Sequence, residues 1–240
     1  MKLKVHHFKP SFLLRAARSV WASRKITEGK SSVAIRIGNP FLKVNISVAP
    51  TARFVCNGIL KIDAWQGGNE PVSITLGERS ELIIDGDIII GNGTRIIVDK
   101  GASLYIGGKR HESASGITEK SLIMVKKKVH IGTDCIIAWN VFITDCDWHS
   151  ITGKKIQEDV IIGDHVWIAC NSSILKGSKI GNNCIVGAHS VVSKKTIPDD
   201  TFVAGNPCKI IADNIRWDRD MLNSEEIFES GQGEGALENQ

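Results

Sequence analysis

From Ile162 to Val192 the chain repeats itself every six residues. Ile162, Ile168, Ile174, Ile180, Val186 and Val192 hold the repeated apolar position, and Gly163, Ala169, Leu175, Gly181, Gly187 and Ser193 follow them. Four places after each of the first five apolar residues stand Val166, Ser172, Ser178, Cys184 and Ser190, all compact side chains. An α-helix repeats every 3.6 residues and a strand every 2, so neither accounts for a period of six. Hexapeptide repetition is the mark of a parallel β-helix, in which each short strand buries one side chain and successive coils stack into a continuous core.

Length and composition agree with that reading. A chain of 240 residues, 42% of them hydrophobic, can bury a substantial core as one extended domain with terminal additions. The 30 Lys and Arg against 26 Asp and Glu leave an excess of only +4, which excludes a general nucleic-acid binder. Cys56, Cys135, Cys146, Cys170, Cys184 and Cys208 form no CxxC pair and read as small buried residues of a reducing compartment. Residues 1–30 lack the uninterrupted apolar core of a signal peptide, and no later stretch approaches a membrane span. A cytoplasmic location is therefore expected.

Four regions follow along the chain. Residues 1–30 form a basic amphipathic segment, with Phe12, Leu13, Ala16, Ala17, Val20 and Trp21 roughly on one helical face and Glu28 as the single acid. It suits either a cap on the open end of a β-helix or a peripheral contact with an anionic membrane or acidic partner. Residues 31–207 are the expected parallel β-helix, irregular in frame before Gly107 and interrupted by a polar loop at 108–120 that contains His111. Residues 208–223 are expected as a short C-terminal helix packed through Trp217. Residues 224–240, rich in Glu and Gly, are expected as a mobile acidic tail.

The period also runs through Ile131, Ile137 and Ile143, then fails at Asp145-Cys146-Asp147-Trp148-His149, where the next core position is a histidine. A β-helix does not readily bury an unpaired imidazole, so the chain is expected to leave the coil here. In an extended segment Asp145, Asp147 and His149 would share one face. A carboxylate beside an imidazole fixes its tautomer and raises its basicity, which equips a general base. A solvated loop histidine fits the same residues, as does a metal site built from Asp145, Asp147 and His149, although no further His or Cys cluster supplies the remaining ligands. Cys146 as a nucleophile is disfavoured, because adjacent strand residues face opposite ways.

The repeats, together with Asp-Cys-Asp-Trp-His149-Ser-Ile, Gly-Asp-His-Val-Trp167-Ile and the run from Ala204-Gly-Asn-Pro to Ile-Arg-Trp217, resemble the hexapeptide-repeat acyltransferases. Among these the likeness is to O-acetyltransferases of capsule, lipopolysaccharide and other surface glycans. It is specific over about residues 129–217 and general upstream. The resemblance implies a left-handed parallel β-helix, an exception to the right-handed crossover rule, assembled as a homotrimer with acetyl-CoA in a groove between subunits. It makes His149 the catalytic base, sets the Trp167 indole along the pantetheine arm, and carries cofactor contacts onto Ala188, Ser193, Lys194 and Lys209. Ala169 stands where many members have Gly, and Cys208 where Ala often follows Gly-Asn-Pro. The acceptor residues of the maltose and galactoside enzymes are not shared: Val125-Lys126-Lys127-Lys128 occupies that region, either as a rim for an acidic glycan or as a solvated basic edge.

The mechanism implied is direct transfer. Neutral His149 takes the proton of an acceptor hydroxyl as its oxygen attacks the acetyl-CoA thioester, Asp147 or Asp145 steadies the imidazolium, and a backbone N–H of a neighbouring coil holds the oxyanion. No metal is expected. The alternatives are N-acetylation of an amino or nucleotide sugar, a non-catalytic trimeric scaffold, and a metalloenzyme on the same fold.

Overall fold

In the computed structural model, residues 10–29, 34–108 and 115–219 are described. Among them are one α-helix, Pro10–Ser23, and 24 short strands gathered into three sheets. The chain visits the first, second and third sheet in fixed rotation, and every strand of the coil pairs in parallel with the strand three places on. The run Val160–Ile162 (first sheet), Trp167–Ile168 (second) and Ser173–Ile174 (third) then stacks under Lys179–Ile180, Ile185–Val186 and Val191–Val192. The three sheets enclose a single hydrophobic cluster running the length of the stack.

The sequence period maps onto this core. Ile162, Ile168, Ile174, Ile180, Val186 and Val192 all point inward and are buried, as are the compact Val166, Ser172, Ser178, Cys184 and Ser190 near the corners. Burying each aliphatic side chain contributes roughly 1.5–3 kcal/mol. The corners impose a second pattern: His165, Asn171, Gly177, Asn183 and His189, again six apart, all have positive φ. Side-chain ladders tie the corners together, as where Thr133 N–H donates to Asp164 Oδ1, Asp164 N–H to Asn182 Oδ1 and Asn182 N–H to Asp199 Oδ1, at 2.7, 2.8 and 2.8 Å.

Upstream coils keep the stacking and lose the period. Leu60 pairs with Ile88 and Ile117 with Ile137, so the coil length there is 28 and then 20 positions. From Ile168 to Val186 it is 18, three hexads. The expected polar loop at 108–120 is shorter than that, because Ser115–Ile117 is a strand of the second sheet with Ile117 buried. His111 lies outside the described residues.

The helix Pro10–Ser23 covers the free edge of Ile35–Ile37, the end strand of the second sheet. The Ile37 and Ile35 N–H groups donate to Ser19 Oγ and Ser23 Oγ, both at 3.0 Å, and Ala22 is buried beside them. The Arg18 guanidinium donates to the carbonyls of Pro40 and Leu42.

The expected C-terminal helix over 208–223 is not formed in its described part. After a cis Asn206–Pro207 bond, Lys209–Ala212 is a strand antiparallel to Phe202–Ala204. Three consecutive residues, Lys209, Ile210 and Ile211, are exposed on it, and β-branched Ile210 and Ile211 suit a strand better than a helix. Residues 220–223 and the acidic tail lie outside the described residues.

Glycines that follow first-sheet strands leave no room for a side chain between coils. A Cβ on Gly163 would fall 2.6 Å from Asn182 Oδ1 and 2.8 Å from the Gly181 backbone carbon. Gly163→Ala is therefore expected to destabilise the fold by about 1–3 kcal/mol through forced separation of two coils. Chemical denaturation of the two proteins measures it, and equal midpoints would contradict this account of the corner.

Candidate active site

The repeat breaks where the sequence says it should. After the third-sheet strand Phe142–Thr144 the chain leaves the coil and rejoins it at Val160–Ile162 in the first sheet. The base of this excursion is zipped in antiparallel fashion: Asp147 N–H donates to Ile156 O and Glu158 N–H to Asp145 O, both at 2.9 Å. His149 lies exposed beyond the zipped base.

The two carboxylates do not serve the imidazole as expected. Asp145 is fully buried, and its carboxylate accepts the backbone N–H groups of Lys126, Lys127 and Lys128 at 2.8, 2.7 and 2.6 Å. It therefore holds the corner of the preceding coil and is neither a partner of His149 nor a free metal ligand. The alternation that would have aligned it with His149 is broken at Trp148, whose φ is 63°. The Trp148 indole N–H instead donates to Thr144 Oγ1 at 3.1 Å. Asp147 faces Lys176, whose ammonium also reaches the Lys155 carbonyl. The Lys176 side chain is only 6% exposed, so one buried cation grips the excursion on both its outgoing and returning limbs.

Lys176 was not visible in the sequence, where Leu-Lys-Gly at a coil corner reads as solvated. The corner between third and first sheets carries further charge. Lys126 pairs with Asp99, Lys127 with Asp159, and Lys194 with Glu158 at 3.0 Å. Two of the three lysines proposed as a rim for an acidic acceptor are thus already paired, and the Asp99 carboxyl is held below its usual range by Lys126 and by the Lys100 N–H. The Glu158 carboxyl is likewise lowered, by Lys194.

Between the excursion and the next coil lies an open cleft of about 560 Å³, lined by Asp147, Ile151, Lys155, Lys176, Ser193 and Lys194 among others. Ser193 and Lys194, inferred from sequence, therefore meet the His149-bearing excursion. The other inferred residues do not. Trp167 is on the outer face of the second sheet, 39% exposed, with Ile136 and Ile185 on either side. Trp217 lies 6.0 Å from it and stacks on His165 at 4.0 Å. His165 in turn contacts Asp134 at 2.8 Å, and Arg219 donates to the same carboxylate at 2.9 Å, fastening the C-terminal segment to the coil. Trp217 is thus the expected anchor, of an extended segment instead of a helix. Lys209 is exposed on the antiparallel strand, and Ala188 is exposed at the corner between second and third sheets. The excursion bearing His149 joins the third sheet to the first, whereas Trp167 lies on the second.

Among the described residues no group of three or more His, Cys, Asp and Glu could hold a metal ion. The cysteines offer no activated nucleophile. Cys146 is buried and its Sγ accepts the Trp148 N–H, while burial pushes the Cys135 thiol up to about 12 and also raises those of Cys56, Cys184 and Cys208.

These features describe a stack of short parallel strands with one charged, interrupted corner. Residues 159–194 match the family model for the bacterial transferase hexapeptide, six repeats. A polysialic acid O-acetyltransferase of Escherichia coli O1:K1 / APEC is 35% identical over 142 residues, covering 57% of this chain and 42% of that protein. A putative lipopolysaccharide biosynthesis O-acetyl transferase of Escherichia coli K12 is 40% identical over 99 residues, covering 35% and 50%. The chain thus spans about half the length of the relatives it matches. Among solved structures, that of the polysialic acid O-acetyltransferase OatWY superposes with a TM-score of 0.57 at 26% identity, over 82% of this chain and 94% of that one. The likeness to hexapeptide-repeat acyltransferases and to glycan O-acetyltransferases read from the sequence is therefore found independently in the comparisons.

Two outcomes follow for the site. Asp145→Ala should cost about 3 kcal/mol or more, since it strands three backbone donors at about 1–3 kcal/mol each, and Asp145→Asn should cost less. Urea unfolding reads this, and an unchanged Asp145→Ala midpoint would contradict the buried role. Labelling of the native protein with a thiol reagent near neutral pH should modify Cys170 first, the one cysteine that is not buried. Mass spectrometry of the peptides identifies the site, and early modification of Cys146 would contradict the burial described.

Proposed function

We propose that this chain is an acetyl-CoA-dependent O-acetyltransferase acting on a hydroxyl of a sugar or glycan by direct transfer, with His149 as general base. The observation that carries the reading is that the excursion bearing His149 closes a cleft with Ser193 and Lys194 at one corner. It occurs in a chain sharing its fold over 94% of the length of a polysialic acid O-acetyltransferase structure. The relatives' names support the reaction class, and the glycan acceptor comes from them.

In this reading the His149 imidazole takes the hydroxyl proton while the acceptor oxygen adds to the thioester carbonyl. The proton then passes to the departing thiolate, and no acyl-enzyme forms. Asp147 acts at one remove. Pinned by Lys176, it fixes the start of the segment that carries His149 and so limits the positions the ring can occupy. The Lys194 ammonium, shared with Glu158 at the edge of the cleft, is the cation the donor's phosphates can approach, and the exposed face of Trp167 offers a surface for its pantetheine arm.

We take the coil to be left-handed, as the family likeness implies, and the placing of His149 and Trp167 on different sheets favours a homotrimer. One chain's His149 corner would meet another chain's second sheet and complete the groove between them. The outer face of that sheet offers an apolar stripe for the contact: Ile89, Gly116, Ile136, Trp167, Ile185 and Phe202 stand in register on successive strands.

With acetyl-CoA and trial glycan acceptors, release of free thiol should fall about 10²–10⁴-fold in His149→Ala, while acetyl-CoA still raises the melting temperature of the variant. Wild-type turnover in that variant would refute the assignment of the base. Acceptors bearing a free amine, assayed beside their hydroxyl analogues, test the choice of oxygen over nitrogen, and sedimentation equilibrium gives the mass of the assembly.

A further inference from the structure

The N-terminal helix was expected to cap the coil or to meet a membrane with one apolar face. The structure divides these tasks between two faces. At 100° per residue Ser19, Ala22 and Ser23 lie on the arc turned to the edge strand Ile35–Ile37, and it is this small, polar arc that is buried. Leu13, Leu14, Ala17, Val20 and Trp21 fall on the opposite arc, and all are exposed, Leu13 to 59%. Phe41, 81% exposed, stands on the loop that Arg18 of the helix grips through the flanking carbonyls of Pro40 and Leu42.

The charge around this face is of one sign. Residues 10–25 contain Arg15, Arg18, Arg24 and Lys25 and no acid. Arg24 falls within the apolar arc and Lys25 at its flank, and neither they nor Arg15 form an ion pair among the described residues. The nearest acid in sequence, Glu28, is committed to Arg53. The contrast with the corner of the candidate active site, where lysines meet carboxylates, is plain.

From this we infer that the outward face of Pro10–Ser23, with Phe41, docks the protein on an anionic lipid surface. An amphipathic helix with aromatic and aliphatic side chains on one arc and unpaired cations in and beside it lies in the headgroup plane, its apolar side chains buried at the acyl boundary and its cations among the phosphates. A second copy of the chain is a poorer occupant, because a symmetric contact through this face would set Arg24 and Lys25 against their own counterparts. No helix among the described residues is long and apolar enough to cross a membrane, so the contact is one of adsorption through this helix. The inference is independent of the reaction proposed above.

The full-length protein is mixed with vesicles of phosphatidylcholine alone, or of equal parts phosphatidylcholine and phosphatidylglycerol, and the bound fraction is read by sedimentation. Binding is expected to the anionic vesicles, weakening as salt rises. Arg24→Glu with Lys25→Glu should weaken it at least about tenfold, given about 1 kcal/mol per cation near such a surface. Leu13→Ser with Trp21→Ser should abolish it. Because these side chains are exposed, circular dichroism and the melting temperature should be unchanged, and the charge variant stands as the test if the apolar variant fails to fold. No binding to anionic vesicles, or equal binding by the charge variant, overturns the proposal. So does a lipid-free self-association that these substitutions dissolve, which would assign the face to a second copy.

Discussion

Every feature of this protein depends on main-chain pairing between strands three places apart, held in register by inward-facing aliphatic side chains. The requirement is severe because coils stack in direct contact. Where Gly163 sits over Gly181 and Asn182, not even a methyl group has room. The corners must also turn through positive φ at fixed intervals, as at Asn171, Asn183 and His189. Such a scaffold tolerates variation only at its corners, outside the stack. The excursion that carries His149 is an insertion of this kind, and Val160 resumes pairing with Val129 as though it were not there.

The corner between the third and first sheets is where the molecule concentrates charge. Asp99, Lys126, Lys127, Asp159, Glu158 and Lys194 meet in pairs along it. Most of these pairs are exposed, and exposed pairs contribute little to stability. Two members differ in kind. Asp145 is fully buried and satisfied by three N–H groups, and Lys176 is nearly buried between Asp147 and a carbonyl. Groups desolvated to that degree are costly unless every partner is in place, which gives the excursion a fixed root.

How much of this was legible follows from the same constraint. Between Ile162 and Val192 coils of three hexads show their period directly, and every core and compact position read from it is buried. Upstream, coils of 28 and 20 positions carry extra residues at corners, so the pairing of Leu60 with Ile88 leaves no fixed spacing to read. At the site, the failed period located the break and the exposed His149, and Ser193 and Lys194, carried over by resemblance, line a cleft with other residues of the same excursion. It misassigned Asp145, because alternation assumes an extended backbone and Trp148 turns through positive φ. Lys176 gave no signal, since its burial comes from a segment that folds back across it. Lys209–Ala212 is a strand where a helix was expected, because its antiparallel partner Phe202–Ala204 is set by the fold and leaves no periodic signal in the sequence.

The three-sided section then bears on why the excursion is rooted so firmly. The excursion joins the third sheet to the first, whereas Trp167 lies on the second, and the three sheets enclose the core of Ile, Leu and Val. In the assembly proposed above, a groove with His149 on one wall and Trp167 on the other lies between two chains, and its width is set by how far the excursion stands from its own coil. On that proposal, a loosely held excursion would let the imidazole wander relative to a donor bound against a neighbouring subunit, and misplacement of about 1 Å is enough to cost catalysis about 10²-fold. The pairing of Lys176 with both limbs of the excursion, and the burial of Asp145 beneath its start, convert the stiffness of the stacked coil into a fixed reach at the one corner where that reach matters.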